Sequence, residues 1–261
     1  MSIHLEKSIE LYQSGLPMLE VCKITGIVFS TLQRHLKKRG LSRSTKYTSR
    51  KYKVNDFYFH CVDNEQKAYW LGFLFADGFI VKNKLYNQKN VGLSLSEEDL
   101  KHLEKFREDV GATYVIKHYT GKGFGVEIKY ARLLMTSEQM FDDLQKIGCI
   151  ERKSLVLKFP VLREDLVRHF IRGYFDGDGS FAKSPDGYKV KICGTKEFLD
   201  RLSEYIGFPN RRLSKRYKDT KNNYQLEIGG RLQVLEIGKY LYEGASTYLI
   251  RKYDRYKELI Y

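Results

Sequence analysis

The sequence predicts an α+β protein made of two pseudo-symmetric αββαββα halves preceded by a small all-α head. Three observations carry that expectation. The first is an internal repeat: Leu71-Gly-Phe-Leu-Phe-Ala-Asp-Gly-Phe79 returns as Arg172-Gly-Tyr-Phe-Asp-Gly-Asp-Gly-Ser180, an offset of 101 residues. The second is that helical and strand-like periodicities follow each copy in the same order. The third is a change of character near residue 60: the first 60 residues hold eleven Lys or Arg against four acids, half of the net charge of +14.

In the head, Leu5, Ile9, Leu11 and Tyr12 keep helical spacing up to Gly15, and Leu16, Leu19, Val21 and Ile24 predict a second helix ending near Gly26. A third runs from Val28 through Leu32 and Leu36 to Gly40. Two helices joined by a tight Gly-containing turn match a helix-turn-helix, with Ser30, Thr31, Gln33, Arg34 and Lys37 on the outer face of the second. The segment resembles the helix-turn-helix domains of recombinases and phage regulators. Arg34, Lys37, Lys38, Arg39 and Arg43 gather where phosphates would lie. Ser42 to Lys53 has no apolar period and reads as a basic linker, so the expected boundaries are head 1–45, linker 46–63, first half 64–150 and second half 151–261.

Within the first half the pattern predicts a helix over 66–77, strands over 79–82 and 91–95, and a helix over 97–110. Strands over 114–118 and 125–130 and a helix over 137–147 complete it. The second half repeats the order with a helix over 164–175, strands over 180–183 and 188–193, and a helix over 196–206. Strands over 211–217 and 224–228 and a helix over 232–240 follow. Val126-Glu-Ile-Lys129 pairs with Leu226-Glu-Ile-Gly229, and Ile150-Glu-Arg-Lys-Ser with Ile250-Arg-Lys-Tyr.

The two apolar helices pose a physical question, because each drives into a carboxylate. Gly72 and Ala76 lie four apart, as do Gly173 and Gly177, so each helix carries a stripe almost free of side chains. Such stripes can meet backbone to backbone, bringing together Asp77 and Asp178, each followed by a glycine suited to a left-handed cap. Carboxylates at helix C-termini oppose the dipole and repel each other. A divalent cation reverses that cost, and Mg²⁺ suits a few carboxylate and carbonyl oxygens with waters and substrate phosphates completing the shell. Asp-Gly is also a common turn dipeptide, which accounts for one such motif more easily than for two.

These residues resemble the two motifs of the LAGLIDADG homing endonuclease family in its single-chain form, over roughly residues 54–261. The resemblance implies a saddle-shaped DNA-binding fold and a site-specific endonuclease that cuts both strands of DNA with two or more Mg²⁺ ions. It implies Asp77 and Asp178 as metal ligands and catalytic residues, with the carbonyls of Ala76 and Gly177 beside them. Lys129 is the auxiliary basic candidate, although it faces Gly229 across the repeat. Position 75 is Phe where the motif has its earlier acid, whereas Asp176 keeps it.

DNA contacts are expected from the sheets, at Lys117, Lys189, Lys191, Arg211, Arg212, Lys215 and Arg216, with Tyr188, Val190 and Ile192 pointing inward. Two alternatives stay open: a DNA-binding regulator that has lost cleavage, and an RNA-binding maturase acting on an intron. No apolar run reaches the length of a membrane span, and residues 1–7 lack the pattern of a signal peptide. Cys22, Cys61, Cys149 and Cys193 lack CxxC spacing, so reduced thiols in a cytosol are expected, and the resemblance implies a bacterial or phage-infected cell and a monomer. No terminal His-Asn pair marks a splice junction.

Overall fold

A computed structural model describes residues 3–42, 51–83, 85, 88–123, 126–184, 187–209, 211, 213–216 and 221–260. Three helices form the head: α1 (Ile3–Gln13), α2 (Met18–Thr25) and α3 (Phe29–Lys38). Leu5, Ile9, Tyr12, Val21, Leu32 and Leu36 close a core of their own between them. Gly26 takes the left-handed conformation after α2, with φ 70°, and turns the chain into α3. Leu19 and Ile24, expected on the inner face of α2, are exposed instead. Only Val21 of that helix is buried, because eight residues offer one inward turn.

The first half runs α4 (Glu65–Ala76), β1 (Gly78–Asn83), β2 (Gln88–Ser96), α5 (Leu100–Asp109), β3 (Lys117–Gly123), β4 (Val126–Thr136) and α6 (Glu138–Ile147). The second runs α7 (Glu164–Asp178), β5 (Gly179–Ser184), β6 (Gly187–Gly194), α8 (Lys196–Tyr205), β7 (Leu213–Lys215), β8 (Tyr224–Gly229) and α9 (Arg231–Tyr242). A last helix, α10 (Ile250–Ile260), was not expected from periodicity. Each half holds one four-stranded antiparallel sheet, ordered β1-β2-β4-β3 and β5-β6-β8-β7. Side-chain caps start the helices where the sequence supplies them: Asn64, Ser137 and Thr195 accept from the backbone N–H three residues on.

Strand register corrects the internal alignment. Gly78 pairs with Leu93 and Leu93 with Leu133, while Gly179 pairs with Ile192 and Ile192 with Leu226. Leu226 is therefore the counterpart of Leu133, not of Val126, and Lys129 has no counterpart in Gly229. The shared Glu-Ile dipeptide misled the sequence comparison because β4 is eleven residues long and β8 six.

The helices α4 and α7 meet through their glycine stripes. A Cβ on Gly72 would stand 1.9 Å from the Phe170 carbonyl oxygen, and one on Gly173 would stand 1.9 Å from that of Tyr69. The contact is thus reciprocal and leaves no room for any side chain. Around it, one continuous core joins both halves, including Trp70, Phe73, Phe75, Phe170, Tyr174 and Phe175. Gly78 and Gly179 do not form left-handed caps: neither has a positive φ, and Gly179 is extended at φ −99°, ψ 168°. They serve by lacking a Cβ, which would collide with Leu74 and Phe175 of the preceding helical turn.

A buried polar network fixes how the halves sit together. Arg172, wholly buried, donates to the Thr247 carbonyl (2.8 Å), the Leu241 carbonyl (3.2 Å) and Glu65 Oε1 (2.7 Å). Asp176 accepts from Tyr69 Oη (2.8 Å), Tyr242 Oη (2.6 Å) and the Leu249 N–H (2.7 Å). These three donors satisfy the carboxylate, although burial still pushes its pKa up. Its counterpart in the first half is Phe75, which packs against Phe170. Removing the Arg172 charge with Arg172→Met should destabilise the protein by about 3 kcal/mol, since Glu65 and two carbonyls lose their donor. Urea denaturation measures this, and a decrease below about 1 kcal/mol would contradict the role given to Arg172.

Candidate active site

Each helix ends on its carboxylate, and the crossing of α4 and α7 decides where those ends lie. Asp77 caps α4 in a helical conformation, its N–H bonded to the Phe73 carbonyl, while α7 continues through Asp178. A Cβ built on Gly177 would lie 2.3 Å from the Ala76 Cβ and 3.2 Å from Asp77 Oδ2. The first carboxylate therefore lies directly against the last turn of the second helix. Asp77 keeps solvent access and Asp178 is half-buried, so both sit on an open floor surrounded by protein. Burial, then the neighbouring Asp178 charge, pushes Asp77 up to about 6. Burial likewise raises Asp178.

Two lysines that sequence reasoning missed supply the opposing charge. Lys153, buried in the single turn Lys153–Leu155, donates to the Gly78 carbonyl. Lys252, buried on α10, donates to the carbonyls of Phe175 (2.8 Å), Gly177 (3.0 Å) and Gly179 (2.6 Å). Burial lowers Lys252 to about 8, against the pull of Asp176, Asp77 and Asp178. The charges of Lys153 and Lys252 act on both Asp77 and Asp178. A signal for this pair was present in the sequence: Glu-Arg-Lys153 and Ile-Arg-Lys252 recur between the halves. Their meaning was hidden because each lysine reaches its site from an element remote from the Asp-Gly motif.

Lys129, the basic candidate from the sequence, is placed elsewhere. It is exposed opposite Thr120 at the far end of β4, on the same side of the sheet as Ala131 and Leu133. That is the helix side of the sheet, and Lys129 is four residues along β4 from Leu133, the strand's counterpart of the site-proximal Leu226. The carbonyl of Gly177, expected beside the metal, accepts from Lys252 and keeps a second lone pair. Ala76 stands at this crossing, its Cβ 2.3 Å from a Cβ built on Gly177.

The candidate DNA contacts divide by register. Lys189 and Lys191 stand on the open face of the second sheet, both paired with Glu227. Lys117 stands on the open face of the first, opposite Arg132. Lys215 pairs with Tyr224 and shares the parity of Leu213, on the helix side, so it leaves the expected face. Arg211 precedes β7 with its guanidinium over Phe208, and Arg216 is close enough to lower the pKa of Asp178. Arg212 and Arg43 lie outside the described residues. In the head, Ser30, Gln33, Arg34 and Lys37 are exposed on α3 and Thr31 is half-buried, whereas Arg39 is held by Glu6 at 2.6 and 2.8 Å.

Among the described residues no group of three or more His, Cys, Asp or Glu could hold a metal ion. The site offers two hard carboxylate donors on a solvent-open floor, a set that suits Mg²⁺, which keeps several waters and takes substrate phosphate oxygens. Among the described residues no helix is long and apolar enough to cross a membrane.

A paired helix crossing that ends in two carboxylates, flanked by two antiparallel sheets, defines a class, and comparison with known proteins names it. Residues 165–241 match the family model described as LAGLIDADG-like domain. The fold is shared with the LAGLIDADG homing endonuclease I-GzeII in complex with its DNA target, at TM-score 0.51 and 12% identity over 76% of this chain and 88% of that one. It is shared also with a mutant of I-SmaMI, at TM-score 0.51 and 15% identity over 76% of this chain and 90% of that one. Residues 165–241 are thus similar to a LAGLIDADG-like domain, and the chain shares the fold of the LAGLIDADG homing endonucleases. Among curated proteins it is similar to the probable translation initiation factor IF-2 of Methanocaldococcus jannaschii, 30% identical over 189 residues. That match covers 64% of this chain and 14% of the relative, so the chain spans a small part of that protein's length.

Proposed function

We propose that the protein is a site-specific double-strand DNA endonuclease that hydrolyses one phosphodiester on each strand with divalent metal, Mg²⁺ being the expected ion. The observation that carries this reading is the meeting of Asp77 and Asp178 at the ends of two helices in backbone contact. Two carboxylates held together at helix C-termini destabilise the metal-free protein, and that cost is accounted for by a bound cation.

Asp77 and Asp178 would hold the metal, with the Ala76 carbonyl beside them. When bound, the metal supplies acidification of a water and neutralisation of the charge that develops on the scissile phosphates. The chain does the rest. The open faces of the sheets position the duplex, and the rigid crossing keeps the two carboxylates in register with both strands. Lys153 and Lys252, anchored on main-chain carbonyls, set fixed positive charge beside the reacting phosphates and need no reorganisation as charge develops. Double-stranded DNA is the expected partner and the protein acts as a monomer, since both halves of the site lie in one chain.

The experiment is to incubate the protein with Mg²⁺ and source-organism DNA, then map new ends by sequencing beside an Asp178→Asn control. Recurrent double-strand breaks absent from the control support the nuclease. Intact DNA despite sequence-specific binding would instead support a regulator, and selective binding of intron RNA a maturase. The head should add phosphate contacts: replacing Arg34, Lys37 and Lys38 together by Ala should flatten the dependence of log affinity on log salt by about 0.9 for each phosphate left without its cation. An unaltered slope would assign the head to protein contact.

A further inference from the structure

The two sheets share one topology yet differ in how much apolar surface stands among the polar groups on the faces turned away from the helices. In an antiparallel sheet covered on one side, the uncovered side is ordinarily polar. The second sheet conforms, with Ser180, Ala182, Lys189, Lys191, Gln225 and Glu227 sharing its open face by register. The first does not. Phe79, Val81, Tyr119, Val126, Ile128 and Leu134 share its open face, and all but Phe79 are between 37% and 65% exposed.

The departure is sharpest at Val126-Glu-Ile-Lys129. Here Glu127 and Lys129 share the parity of the helix side, while Val126 and Ile128 share that of the open side. All four are exposed, so the inversion of the usual pattern brings no gain in folding. Gly92 deepens the apolar surface, since a Cβ there would stand 2.3 Å from the Phe79 ring, whose outer edge lies against it. Two cations, Lys117 and Arg132, share this face, as many as Lys189 and Lys191 on the second. Arg132 donates to Ser94 Oγ at 2.8 Å and sits 5.3, 5.5 and 5.6 Å from the ring centroids of Tyr119, Phe79 and Tyr130, leaving Lys117 opposite it in β3.

The occupant is chosen by charge and by position. The chain carries +14, and β1 and β5 both leave directly from the carboxylate pair, so both open faces extend from the point where a duplex would be cut. Within a DNA major groove, the apolar group displayed on a base edge is the C5-methyl of thymine. We infer that the first half selects a thymine-rich half-site through apolar contact with those methyl groups, while the second half reads its half-site by hydrogen bonds and charge. This rests on the DNA-binding reading given above. It makes the target chemically asymmetric although the scaffold is nearly two-fold.

The test uses the full chain carrying Asp178→Asn, to select binders from a pool of random duplexes, and then resynthesises the selected pool with uracil in place of thymine. One half of the selected site should be rich in thymine, and uracil in that half should weaken binding about fourfold for each methyl that the sheet covers. Uracil in the other half should leave affinity within about twofold, that being less than the effect of one buried methyl. Adding Val126→Ser and Ile128→Ser, both at exposed positions, should reduce the difference between thymine and uracil duplexes by about fourfold or more and preserve the melting temperature. A specific selected site that binds equally with uracil overturns the inference and leaves the DNA-binding reading intact. Failure to enrich any site overturns both. If the two substitutions instead abolish binding to a selected RNA pool, or a concentration-dependent dimer, with duplex affinity unchanged, the apolar face belongs to RNA or to a second copy and the inference falls.

Discussion

Asp178→Asn and Asp77→Asn should each abolish the proposed double-strand cleavage, with a drop of about a thousandfold or more in rate, and leave most of the DNA affinity in place. The substitutions remove a charge proposed to bind metal and worth several kcal/mol in the transition state, while the groups proposed to position the duplex remain on the sheets. Cleavage of a supercoiled plasmid bearing the mapped site, followed beside filter binding, separates the two effects. Undiminished double-strand cleavage in either variant would refute the assigned site.

A second effect of Asp77→Asn has the opposite sign. The Asp77 pKa rises from 3.8 in the ordinary range to about 6 in the folded protein. A raised folded pKa means that the contribution of this carboxyl to stability is fully present below the unfolded value and is lost as pH rises through the folded one. At pH 7 the ionised carboxylate therefore destabilises the metal-free protein. Asp77→Asn should raise the melting temperature of that protein at about pH 7, and the gain should vanish below about pH 4. Excess Mg²⁺ should narrow the gap between wild type and variant, because binding to the folded state adds stability in the wild type alone.

Gly173→Ala is expected to destabilise the protein by at least about 3 kcal/mol, although the same change inside an ordinary helix stabilises by about 1 kcal/mol. The sign reverses because the new methyl would stand 1.9 Å from the Tyr69 carbonyl oxygen, which belongs to the backbone of α4 and cannot turn aside. Gly72→Ala should behave alike, against the Phe170 carbonyl. Chemical denaturation measures both. A variant that keeps wild-type stability would show that the helices do not meet through these glycines. Any partial separation of α4 from α7 also moves Asp77 away from Asp178, so cleavage should fall more steeply than stability. Duplex affinity, which the proposed reading assigns to the sheets, should fall least.

Much of this architecture was legible as pattern. The small-residue stripes and the Asp-Gly pairs stand in the sequence at helical spacing, and the alternation of Val91, Leu93 and Leu95 or of Val190 and Ile192 announces strands with one buried face. The helices over 138–147 and 196–205 carry their own caps and apolar stripes, and their observed bounds fall within a residue of those the pattern predicts. What misled was similarity without register. Val126-Glu-Ile resembles Leu226-Glu-Ile, but ladder partners set Leu133 opposite Leu93 and leave Val126 at the distal end of the strand. The misplacement of Lys129 follows from that slip. The left-handed caps at Gly78 and Gly179 failed for another reason: glycine has two uses, and here the missing Cβ mattered rather than the positive φ.

The sequence by itself determined the two-fold repeat, the basic head with its own small core, and the two carboxylates that end the apolar helices. Those features are local, written in periodicity and in residue type. Tertiary structure alone decided which charges surround the carboxylates. Lys153 and Lys252 arrive from a short turn and from the last helix, 75 and 73 residues from the Gly78 and Gly179 carbonyls they bond. Burial brings cation and anion together there, and no spacing rule in a linear sequence records a contact made between elements so far apart. The apolar open face of the first sheet is of the same kind: its residues are visible in the sequence, but only pairing partners show which side of the sheet each one takes.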